Sequence, residues 1–433
     1  MRFMKTVLIV DGGGRGSALV YKYSESSSVG KIIAVPGNDL MQFNSKKKVE
    51  TYSQVKVTDV EEIVRICKKE KVDLVDVGQE DAIEAGIVNR LLEEGFLVSG
   101  PTREAARIEW DKAWAREFMK KYKLPSPKFF VFYNENIGIK FLKTARDGAW
   151  FVKANGLLGG KGALPAKDNK EAVVRIKELK KFGKAGETYL LEEWLVGEEF
   201  SSFALTDGKT HVLVGSAQDH KRMFNFDQGE NTGGIGCSSP PLVIDTKIKK
   251  QIEDIFKKTF AGLKKEKIDY KGVLYLGGIV VRGQVYIIEF NARWGDPEAE
   301  VLLPSIKTDM FKISQIVAKG GMSKLKIKFD NLSRVVVTGH PRPGISAKGK
   351  EVFGLALAKK IDGVMVFGTR VSRVGKRYFA GEGRLFHIMG EGRNVIEARE
   401  KAYRAMSLIS IEGNNLHYRT DIGWRDVERF WYH

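Results

Sequence analysis

Three polar side chains occupy alternate positions in one apolar segment near residue 290. Glu289, Asn291 and Arg293 lie in the run EFNARWGDPE. Because side chains alternate along a strand, all three are expected on one face. Carboxylate and amide oxygens are hard ligands that suit Mg²⁺, and an arginine binds an anion. The pattern therefore indicates a strand that holds a divalent metal ion beside an anion.

An ordinary strand with solvent-facing polar residues is the alternative for this segment. It is disfavoured because the flanking runs, VYIIEF and GVLYLGGIVV, are apolar and indicate burial. A buried glutamate needs a partner, which a metal ion supplies. Gly295 and Asp296, followed by Pro297, then turn the chain toward a helix near residues 298–303.

A glycine-rich loop, VKANGLLGGKGA, covers Val152–Ala163. It lacks the order of a Walker A loop. Lys153 precedes the loop and Lys161 lies within it, after Gly159 and Gly160. This pattern favours a lid that folds over nucleotide phosphates, by analogy with kinase glycine loops. A plain hairpin turn is the alternative, although such a turn hardly needs four glycines and a lysine.

The N-terminal run DGGGRGSA joins a predicted strand to a predicted helix. Glycines at this position let backbone N–H groups approach a phosphate. The run fails as a dinucleotide fingerprint, because Ser17 replaces the third glycine and no acidic residue closes the second strand. Arg15 offers a cation for a phosphate monoester. A phosphate cradle and a tight turn both remain open for Gly13 and Gly14.

Two further polar segments are less specific. In LLEEWLVGEEFS, the acidic pairs at 192–193 and 198–199 are consistent with an edge strand and a charged turn. They are also consistent with a hinge whose backbone hydrogen-bonds to an adenine edge, with a carboxylate that binds the ribose hydroxyls. In QDHKRMFNFDQGENTGG, Asp219 could hold an amino group, and Lys221 and Arg222 could hold phosphates. His220 is a candidate general base, although a lone histidine in a polar loop is more often structural.

Alternating strand and helix patterns fill the first hundred residues, which predicts a doubly wound parallel sheet. The fold class is therefore multidomain, α/β and α+β. We expect an N-terminal Rossmann-like substrate-binding domain at 1–103 and a central domain at 104–328, with a mobile lid subdomain at about 126–196. A small mixed domain is expected at 329–433. A hairpin with its turn near Arg282 and Gly283 precedes the helix near 298–303.

Composition narrows the class of protein. The chain has 433 residues, with 72 Lys and Arg against 54 Asp and Glu, a formal net charge of +18. This surplus suits anionic partners, phosphorylated small molecules included. Only Cys67 and Cys237 occur, which excludes a disulfide framework. We predict no signal peptide and no membrane span. We also predict no nucleic-acid partner, because basic residues are not interleaved with aromatics. A cytoplasmic protein is expected.

Taken in order, these segments resemble the phosphoribosylamine–glycine ligase family, the glycinamide ribonucleotide synthetases of the ATP-grasp superfamily. The resemblance covers nearly the whole chain. It rests on FVKANGLLGGKGA, on SAQDHKR with NTGG, on EFNARWGDPE, and on SGPTREAARIEWDKAWAREFMKKYKLP. It implies that ATP phosphorylates the glycine carboxylate and that the amine of phosphoribosylamine then displaces phosphate in purine biosynthesis. Mg²⁺ or Mn²⁺ is implied, as is a monomer or small homo-oligomer.

The resemblance also implies roles for individual residues. The implied ATP-binding residues are Lys112, Lys153, Gly159, Gly160, Lys161, Glu192, Glu193, Trp194, Leu195 and Glu199. The implied metal ligands are Glu289 and Asn291, and the implied catalytic residues are Arg293, Asp219 and Lys161. The implied binding residues for glycine and phosphoribosylamine are Gly13, Gly14, Arg15, Glu80, Asp219, Lys221, Asn231, Thr232, Arg293, Gly295 and Asp296.

The chain departs from the family at two places. Gly16 and Ser17 stand where the family has Glu and His, and Gln79 stands where it has Pro. Both lie on the side implied for phosphoribosylamine. A paralogue that ligates an amino acid to a different amine is therefore an alternative. A catalytically inactive nucleotide-binding regulator is another, and a nucleic-acid binder a third, but intact Glu289, Lys153 and Lys161 argue against lost chemistry.

Overall fold

Strands and helices alternate through the first hundred residues. The elements are β1 (Lys5–Asp11), α1 (Gly14–Ser24), β2 (Val29–Pro36), β3 (Val49–Thr51), α2 (Val60–Lys69), β4 (Leu74–Val77), α3 (Glu80–Glu84), α4 (Ile87–Glu93) and β5 (Val98–Ser99). The strands form a parallel sheet of order β3-β2-β1-β4-β5. The predicted doubly wound sheet is confirmed. This computed structural model describes residues 4–159 and 161–432.

Two helices connect this sheet to the rest of the chain. They are α5 (Arg107–Trp110) and α6 (Lys112–Lys121). The run REAARIEWDKAWAREFMKKYKL shows no break in its pattern and predicts one continuous helix, but the structure divides it into two. Asp111 leaves helical geometry, and its side chain accepts a hydrogen bond from the Trp114 backbone at 3.1 Å, which caps α6. The break makes Lys112 the first residue of the second helix.

A small antiparallel sheet with two helices follows, within the range 126–196 predicted as a lid; that it is mobile stays a prediction, and we call this part the lid. Its elements are β6 (Phe129–Phe132), α7 (Glu135–Thr144), β7 (Trp150–Ala154), β8 (Ala163–Ala166), α8 (Asn169–Glu178) and β9 (Tyr189–Glu193). The strand order is β6-β9-β7-β8, so β9 is an interior strand. The edge-strand interpretation of residues 192–193 is therefore wrong. The lid has its own apolar core, which includes Val152, Leu142 and Tyr189.

The central part of the chain carries the longest strands. Its elements are β10 (Glu198–Asp207), β11 (His211–Asp219), β12 (Arg222–Phe224), β13 (Gln228–Asn231), β14 (Gly236–Ser239), α9 (Thr246–Lys265), β15 (Lys271–Val281), β16 (Gln284–Asn291), α10 (Glu298–Leu302) and α11 (Met310–Lys319). The predicted hairpin turn lies at Arg282 and Gly283, between β15 and β16. That hairpin delivers Glu289 and Asn291 to the end of β16.

The C-terminal part is a mixed segment. Its elements are β17 (Ser333–Pro341), β18 (Glu351–Phe353), α12 (Leu355–Ala358), β19 (Val364–Gly368), β20 (Val371–Val374), β21 (Arg377–Ala380), β22 (Phe386–Gly392), α13 (Val395–Met406), β23 (Ser410–Ile411), β24 (Leu416–His417) and α14 (Trp424–Tyr432). Strand β14 pairs with β17, so one sheet of order β16-β15-β10-β11-β14-β17-β22-β19 runs from the central into the C-terminal part. The predicted boundaries at 103/104 and 328/329 stay predictions.

Two smaller sequence expectations concern cysteines and membrane spans. Cys67 and Cys237 are both buried as free thiols, as expected of packing residues. Among the described residues, no helix combines the length and the apolar character that a membrane crossing requires.

Candidate active site

The end of β16 presents the carboxylate and the amide oxygen that the sequence singled out. Glu289 lies opposite Gly277 of β15, and a Cβ on that glycine would be 3.1 Å from Glu289 Cγ. The glycine thus leaves room for the glutamate side chain. Burial alone would raise the pKa of Glu289, but the charges of Lys221, Lys153 and Lys112 outweigh it and lower the pKa. Glu289 is therefore an ionised carboxylate surrounded by lysines.

One of these lysines is held by a buried ion cluster. Lys153 Nζ lies 2.7 Å from Glu192 Oε2. Arg116, on α6, donates from Nε and Nη2 to the two Glu192 oxygens at 2.7 and 2.8 Å. Burial opposes ionisation, yet the charges of Arg116 and Lys153 lower the pKa of Glu192 to about 2. Glu192 thus positions Lys153, a role that the sequence reasoning missed.

The glycine loop of the lid contacts α6. Lys112 Nζ donates a hydrogen bond to the carbonyl oxygen of Gly156. Gly159 has a left-handed backbone, with φ of 55°, and Lys161 is exposed. Gly160 lies outside the described residues. The loop therefore starts beside Lys112, which is itself close enough to Glu289 to feel its charge.

The segment that follows β9 connects the lid to the central sheet. Glu193 is exposed, and Trp194 packs its ring 5.0 Å from that of Phe151. The backbone nitrogen of Trp194 donates to the Ala149 carbonyl at 3.1 Å. Leu195 is half-buried in the same connection. This geometry fits the hinge interpretation of the segment, and the predicted adenine contacts stay predictions.

Glu199 and Lys221 form an ion pair at the start of the central sheet. Glu199 Oε2 lies 2.8 Å from Lys221 Nζ, and the Glu199 side chain is 49% exposed. Burial opposes the charge of Lys221, but Glu199, Glu289 and Asp219 together raise its pKa. The pair places a cation and a solvent-facing carboxylate close enough to β16 for the charge of Glu289 to act on Lys221.

Asp219 has an unsatisfied oxygen. Its Oδ1 is buried and has no hydrogen-bond partner among the described residues. Burial, reinforced by the nearby charge of Glu298, raises the pKa of Asp219 well above its usual value. Gly234 approaches closely, since a Cβ there would be 2.7 Å from Asp219 Oδ1. An unpaired buried acceptor of this kind is expected to receive a ligand donor.

Arg293 has a buried donor nitrogen that lacks a hydrogen-bond partner among the described residues, which complements the unsatisfied oxygen of Asp219. Its Nη2 lies 3.0 Å from Glu109 Oε1 and donates to Asn291 Oδ1 at 3.3 Å, so the predicted side chains of 291 and 293 do meet. Its Nε lies 3.3 Å from Glu80 Oε2 without hydrogen-bonding geometry, and that buried donor has no partner among the described residues. Glu109, which also accepts from the Ala292 backbone at 2.7 Å, was missed.

The polar groups of Arg15 in the N-terminal loop make hydrogen bonds to other groups of the protein. Arg15 donates from Nε to Asp11 Oδ2 at 2.6 Å and from Nη1 to the Trp294 carbonyl at 2.9 Å. The backbone nitrogen of Arg15, at the N-terminus of α1, donates to Asp296 Oδ2 at 3.2 Å. A Cβ on Gly13 would be 3.0 Å from that same oxygen. Of the two open interpretations, these contacts favour the tight turn over the phosphate cradle.

Asp296 joins three parts of the chain. Its Oδ1 lies 2.9 Å from Arg384 Nη1 and 3.1 Å from His387 Nε2, both from the C-terminal segment. Glu300 is completely buried nearby, with Oε1 3.6 Å from His387 Nε2, and neither of its oxygens has a hydrogen-bond partner among the described residues. Burial and then the charge of Asp296 raise the pKa of Glu300 well above its usual value. This junction was missed, although a histidine inside the apolar run LFHIM was a signal of a buried polar group.

The remaining predicted residues lie at the end of β13 or in the turns that flank β12, β13 and β16. Thr232 donates from Oγ1 to the Lys221 carbonyl at 2.9 Å, which orders the NTGG turn. Asn231 is exposed. Gly295 faces Glu298, and a Cβ there would overlap the glutamate carboxylate. His220 is buried and accepts from the Gly423 backbone at 3.0 Å, so its structural interpretation is favoured over that of a general base.

The residues that depart from the family pattern have structural partners. Ser17 Oγ donates to the Gly368 carbonyl at 2.8 Å, which ties α1 to the C-terminal segment. Gly16 packs on Asp11, since a Cβ there would be 2.9 Å from the Asp11 side chain. Gln79 precedes α3 and adjoins Glu80, whose pKa is lowered by Arg293 and Arg15 despite its burial.

A glycine loop and a set of lysines around the Glu289 carboxylate are typical of an ATP-grasp enzyme, an ATP-dependent ligase, and the family comparisons show that class for this chain. The chain belongs to the phosphoribosylglycinamide synthetase family. Residues 5–109 match its N domain, residues 110–299 its ATP-grasp (A) domain and residues 333–425 its C domain. The resemblance noted in the sequence and the expected fold class are thereby confirmed.

Known proteins support this membership over the full length. The phosphoribosylamine–glycine ligase of Chlorobaculum tepidum is 36% identical over 423 residues, 96% of this chain and 99% of that protein. The crystal structure of the phosphoribosylamine–glycine ligase of Thermotoga maritima has a TM-score of 0.80 at 27% identity and covers 96% of this chain and 99% of its own. The biotin carboxylase domain of Hydrogenobacter thermophilus 2-oxoglutarate carboxylase, solved with MgADP, shares the fold at a TM-score of 0.72 and 15% identity, with 96% and 92% coverage.

Proposed function

We propose that this chain joins glycine to 5-phosphoribosylamine with consumption of ATP, giving glycinamide ribonucleotide, ADP and phosphate in purine biosynthesis. Its relatives carry the name of this activity. The observation that carries the proposal is the ionised Glu289 among Lys112, Lys153 and Lys221, because such a cluster suits polyphosphate and a cation together.

The ATP phosphates lie, in this proposal, between the lid and β16. Lys112 and Lys153 are fixed from the protein side, and Lys161 comes from the exposed loop, with Gly159 supplying its turn. Lysine ammonium groups bind phosphate as point charges, so their fixed positions set where the γ-phosphate lies. Residues 192–195 form the hinge beside the adenine, and Glu199 faces the ribose.

A divalent cation, Mg²⁺ or Mn²⁺, fits Glu289 and Asn291. Both offer hard oxygen atoms, and the lowered pKa of Glu289 keeps its carboxylate charged. Bound there, the cation would neutralise charge on the nucleotide phosphates. The lysines and Arg293 lie around the same atoms and share that task.

Glycine is bound at its two charged ends. The unpaired Oδ1 of Asp219 accepts from the ammonium group, and the unpaired Nε of Arg293 donates to the carboxylate. Bringing the ammonium near Asp219 favours the ionised carboxylate and offsets the pKa increase that burial causes. The charge of Glu298 acts on both side chains, which supports a shared site for the two ends of glycine.

The chemistry then proceeds in two displacements. A glycine carboxylate oxygen attacks the γ-phosphorus, the bond to the β,γ-bridging oxygen breaks, and ADP leaves. The amine nitrogen of phosphoribosylamine attacks the carbonyl carbon of glycyl phosphate, and phosphate leaves with one former carboxylate oxygen. Arg293 and Asp219 hold the acyl group in line, and the closed lid excludes the water that would hydrolyse it.

The amine substrate lies on the side of the N-terminal loop and the Gly-Asp-Pro turn. We assign Gly13, Gly14, Arg15 and Glu80 to the wall of this site, with Lys221, Asn231, Thr232, Gly295 and Asp296 opposite. A cytoplasmic location and a monomer or small homo-oligomer remain predictions.

Ligation to a different amine is the second candidate. It is favoured because neither Gly16 nor Ser17 directs a polar side chain at a substrate. Gly16 packs on Asp11, and the Ser17 hydroxyl donates to the Gly368 carbonyl. The lid, the lysines and β16 would act identically for that reaction.

Release of ADP with defined amines separates the two candidates. The purified protein, glycine, Mg²⁺-ATP and freshly generated phosphoribosylamine should release ADP and form glycinamide ribonucleotide. Omitting glycine or the amine is the control and should abolish sustained release. Release with another amine, but none with phosphoribosylamine, would replace the first candidate by the second.

A further inference from the structure

The proposed amine carries a phosphate monoester, a doubly charged anion that needs a cationic partner. The N-terminal loop does not present one. Each part of the Arg15 guanidinium faces a protein acceptor: Nε faces Asp11, Nη1 the Trp294 carbonyl, and Nη2 lies 3.4 Å from Glu80 Oε2. The Arg15 residue is only 6% exposed. The Arg15 guanidinium is therefore paired with protein acceptors and is not available to a phosphate.

The N-terminus of α1 is also unavailable to a phosphate. The Arg15 backbone nitrogen already donates to Asp296 Oδ2, which occupies the place of an anion at a helix N-terminus. Burial opposes ionisation of Asp296, but the charge of Arg384 and the hydrogen bond with His387 hold its pKa well below the usual value. A phosphate bound at this helix end would meet an ionised carboxylate.

Arg384 presents a cation at the same junction. Its Nη1 donates to the Asp296 carbonyl at 2.7 Å and to the Gly233 carbonyl at 2.9 Å, so one nitrogen carries the protein contacts. Its Nε and Nη2 have no protein acceptor among the described residues, and the side chain is 24% exposed. These two nitrogens form the edge of a guanidinium that binds a phosphate in bidentate fashion.

The neighbours of Arg384 place it beside the proposed glycine site. Gly234 lies between them: its carbonyl is 3.2 Å from Arg384 Nη1, and a Cβ on it would be 2.7 Å from Asp219 Oδ1. The charge of Arg384 also opposes the pKa increase of Asp219. An amine that attacks an acyl group held by Asp219 can therefore extend its far end toward Arg384.

We propose that Arg384, from the C-terminal segment, binds the phosphate monoester of the amine substrate through Nε and Nη2. This inference rests on the proposed function and deepens it, since it names the residue that selects a phosphorylated amine. It also explains how the chain can tolerate Gly16 and Ser17 in the N-terminal loop, because a residue of another segment binds the phosphate.

The test compares Arg384→Gln with Arg404→Gln, a matched change at an exposed arginine of α13. Ribose 5-phosphate, the stable probe, is titrated calorimetrically into each full-length protein. Arg384→Gln should raise its Kd about 100-fold or more, since each of the two lost charge-assisted hydrogen bonds contributes about 10-fold or more, and should raise the KM for phosphoribosylamine similarly. The KM values for glycine and ATP should stay within about twofold, and Arg404→Gln should resemble wild type.

Three outcomes would overturn the inference. A Kd for ribose 5-phosphate unchanged by Arg384→Gln removes Arg384 from the phosphate site and leaves the ligase proposal standing. A joint rise in the KM values of all three substrates, with a lower Tm, shows that Arg384 only holds the Asp296 and Gly233 turns in place. Failure of the wild-type protein to bind ribose 5-phosphate, with ADP release for another amine, rejects the inference and the proposed amine together.

Discussion

Asp296 Oδ2 accepts a hydrogen bond of 3.2 Å from the backbone nitrogen of Arg15, although the two residues are 281 positions apart in the chain. The turn after β16 thereby provides an acceptor at the N-terminus of α1, the first helix of the N-terminal sheet. The same carboxylate is bound by Arg384 and His387 of the C-terminal segment. One side chain thus joins the three parts of the protein at the proposed amine site.

Replacing Gly14 by alanine tests how tightly this junction is packed. A Cβ at Gly14 would overlap Glu300 Oε1 and the His387 ring, neither of which is exposed. We expect Gly14→Ala to lower the free energy of unfolding by about 1–3 kcal/mol, as overpacking does. The control is Gly148→Ala, where a Cβ meets nothing within 4 Å. Urea unfolding should show an effect within about 0.5 kcal/mol for the control; equal effects at both positions would contradict the packing.

Stability should depend on pH through Glu300. Its folded pKa is raised well above the ordinary value of 4.5 by burial, then by Asp296. As pH rises above the unfolded pKa, the unfolded chain loses this proton while the folded protein keeps it. The wild type therefore loses up to about 1.4 kcal/mol of stability per pH unit until the folded pKa is reached.

Glu300→Gln, a neutral mimic of the protonated acid, removes this dependence. Its stability relative to wild type should improve steadily from pH 5 upward in chemical unfolding measured at several pH values. Glu253→Gln, on the exposed face of α9, should give a curve parallel to wild type. A parallel curve for Glu300→Gln as well would show that Glu300 is not protonated in the folded protein.

Arg116→Met should be costly because it leaves Glu192 buried with Lys153 alone. Removing one partner of a buried ion pair costs about 3–5 kcal/mol, whereas an exposed pair contributes about 0–1 kcal/mol. Arg175→Met, which breaks the partly exposed pairs with Glu171 and Glu178, is the comparison. Unfolding by urea gives both costs, and ATP titration should show weaker binding only for Arg116→Met. Similar costs for the two variants would remove Arg116 from the cluster.

Much of this site follows from local sequence. Glu289 and Asn291 are one strand period apart, and the flanking apolar runs place them on a buried hairpin, which the structure confirms. The glycine loop between Lys153 and Lys161 likewise lies between adjacent strands of the lid. Such features depend on short-range periodicity and turn chemistry, which the sequence shows directly.

The contacts that fix these side chains follow less readily, because they join distant segments. In the sequence, Arg116 is one of several cations on an amphipathic helix. Its partner Glu192 is 76 positions away, and no local pattern indicates that the two side chains pair. His387 and Arg384 meet Asp296 from the C-terminal segment, which the pairing of β14 with β17 joins to the central sheet. The helix break at Asp111 was also missed, because the apolar pattern continues through it.

The metal assignment is tested by Glu289→Gln and Asn291→Ala. Each change removes a hard oxygen ligand or its charge, so turnover should fall by about 100-fold or more, with Tm close to wild type. Mn²⁺ binding in the presence of ADP, followed by electron paramagnetic resonance, should weaken in parallel. Gln284→Ala, at the exposed start of the same strand, should change neither quantity. Wild-type Mn²⁺ affinity in both site variants would remove these residues from the metal site.

In the proposed reaction, glycine is activated as an acyl phosphate between Asp219, Arg293 and ATP. This activation is tested most directly by glycine labelled with ¹⁸O in both carboxylate oxygens, incubated with the wild-type protein, Mg²⁺-ATP and phosphoribosylamine. The released phosphate should carry one ¹⁸O atom per molecule, measured by ³¹P nuclear magnetic resonance or mass spectrometry. Phosphate free of ¹⁸O, released together with ADP during turnover, would contradict the account.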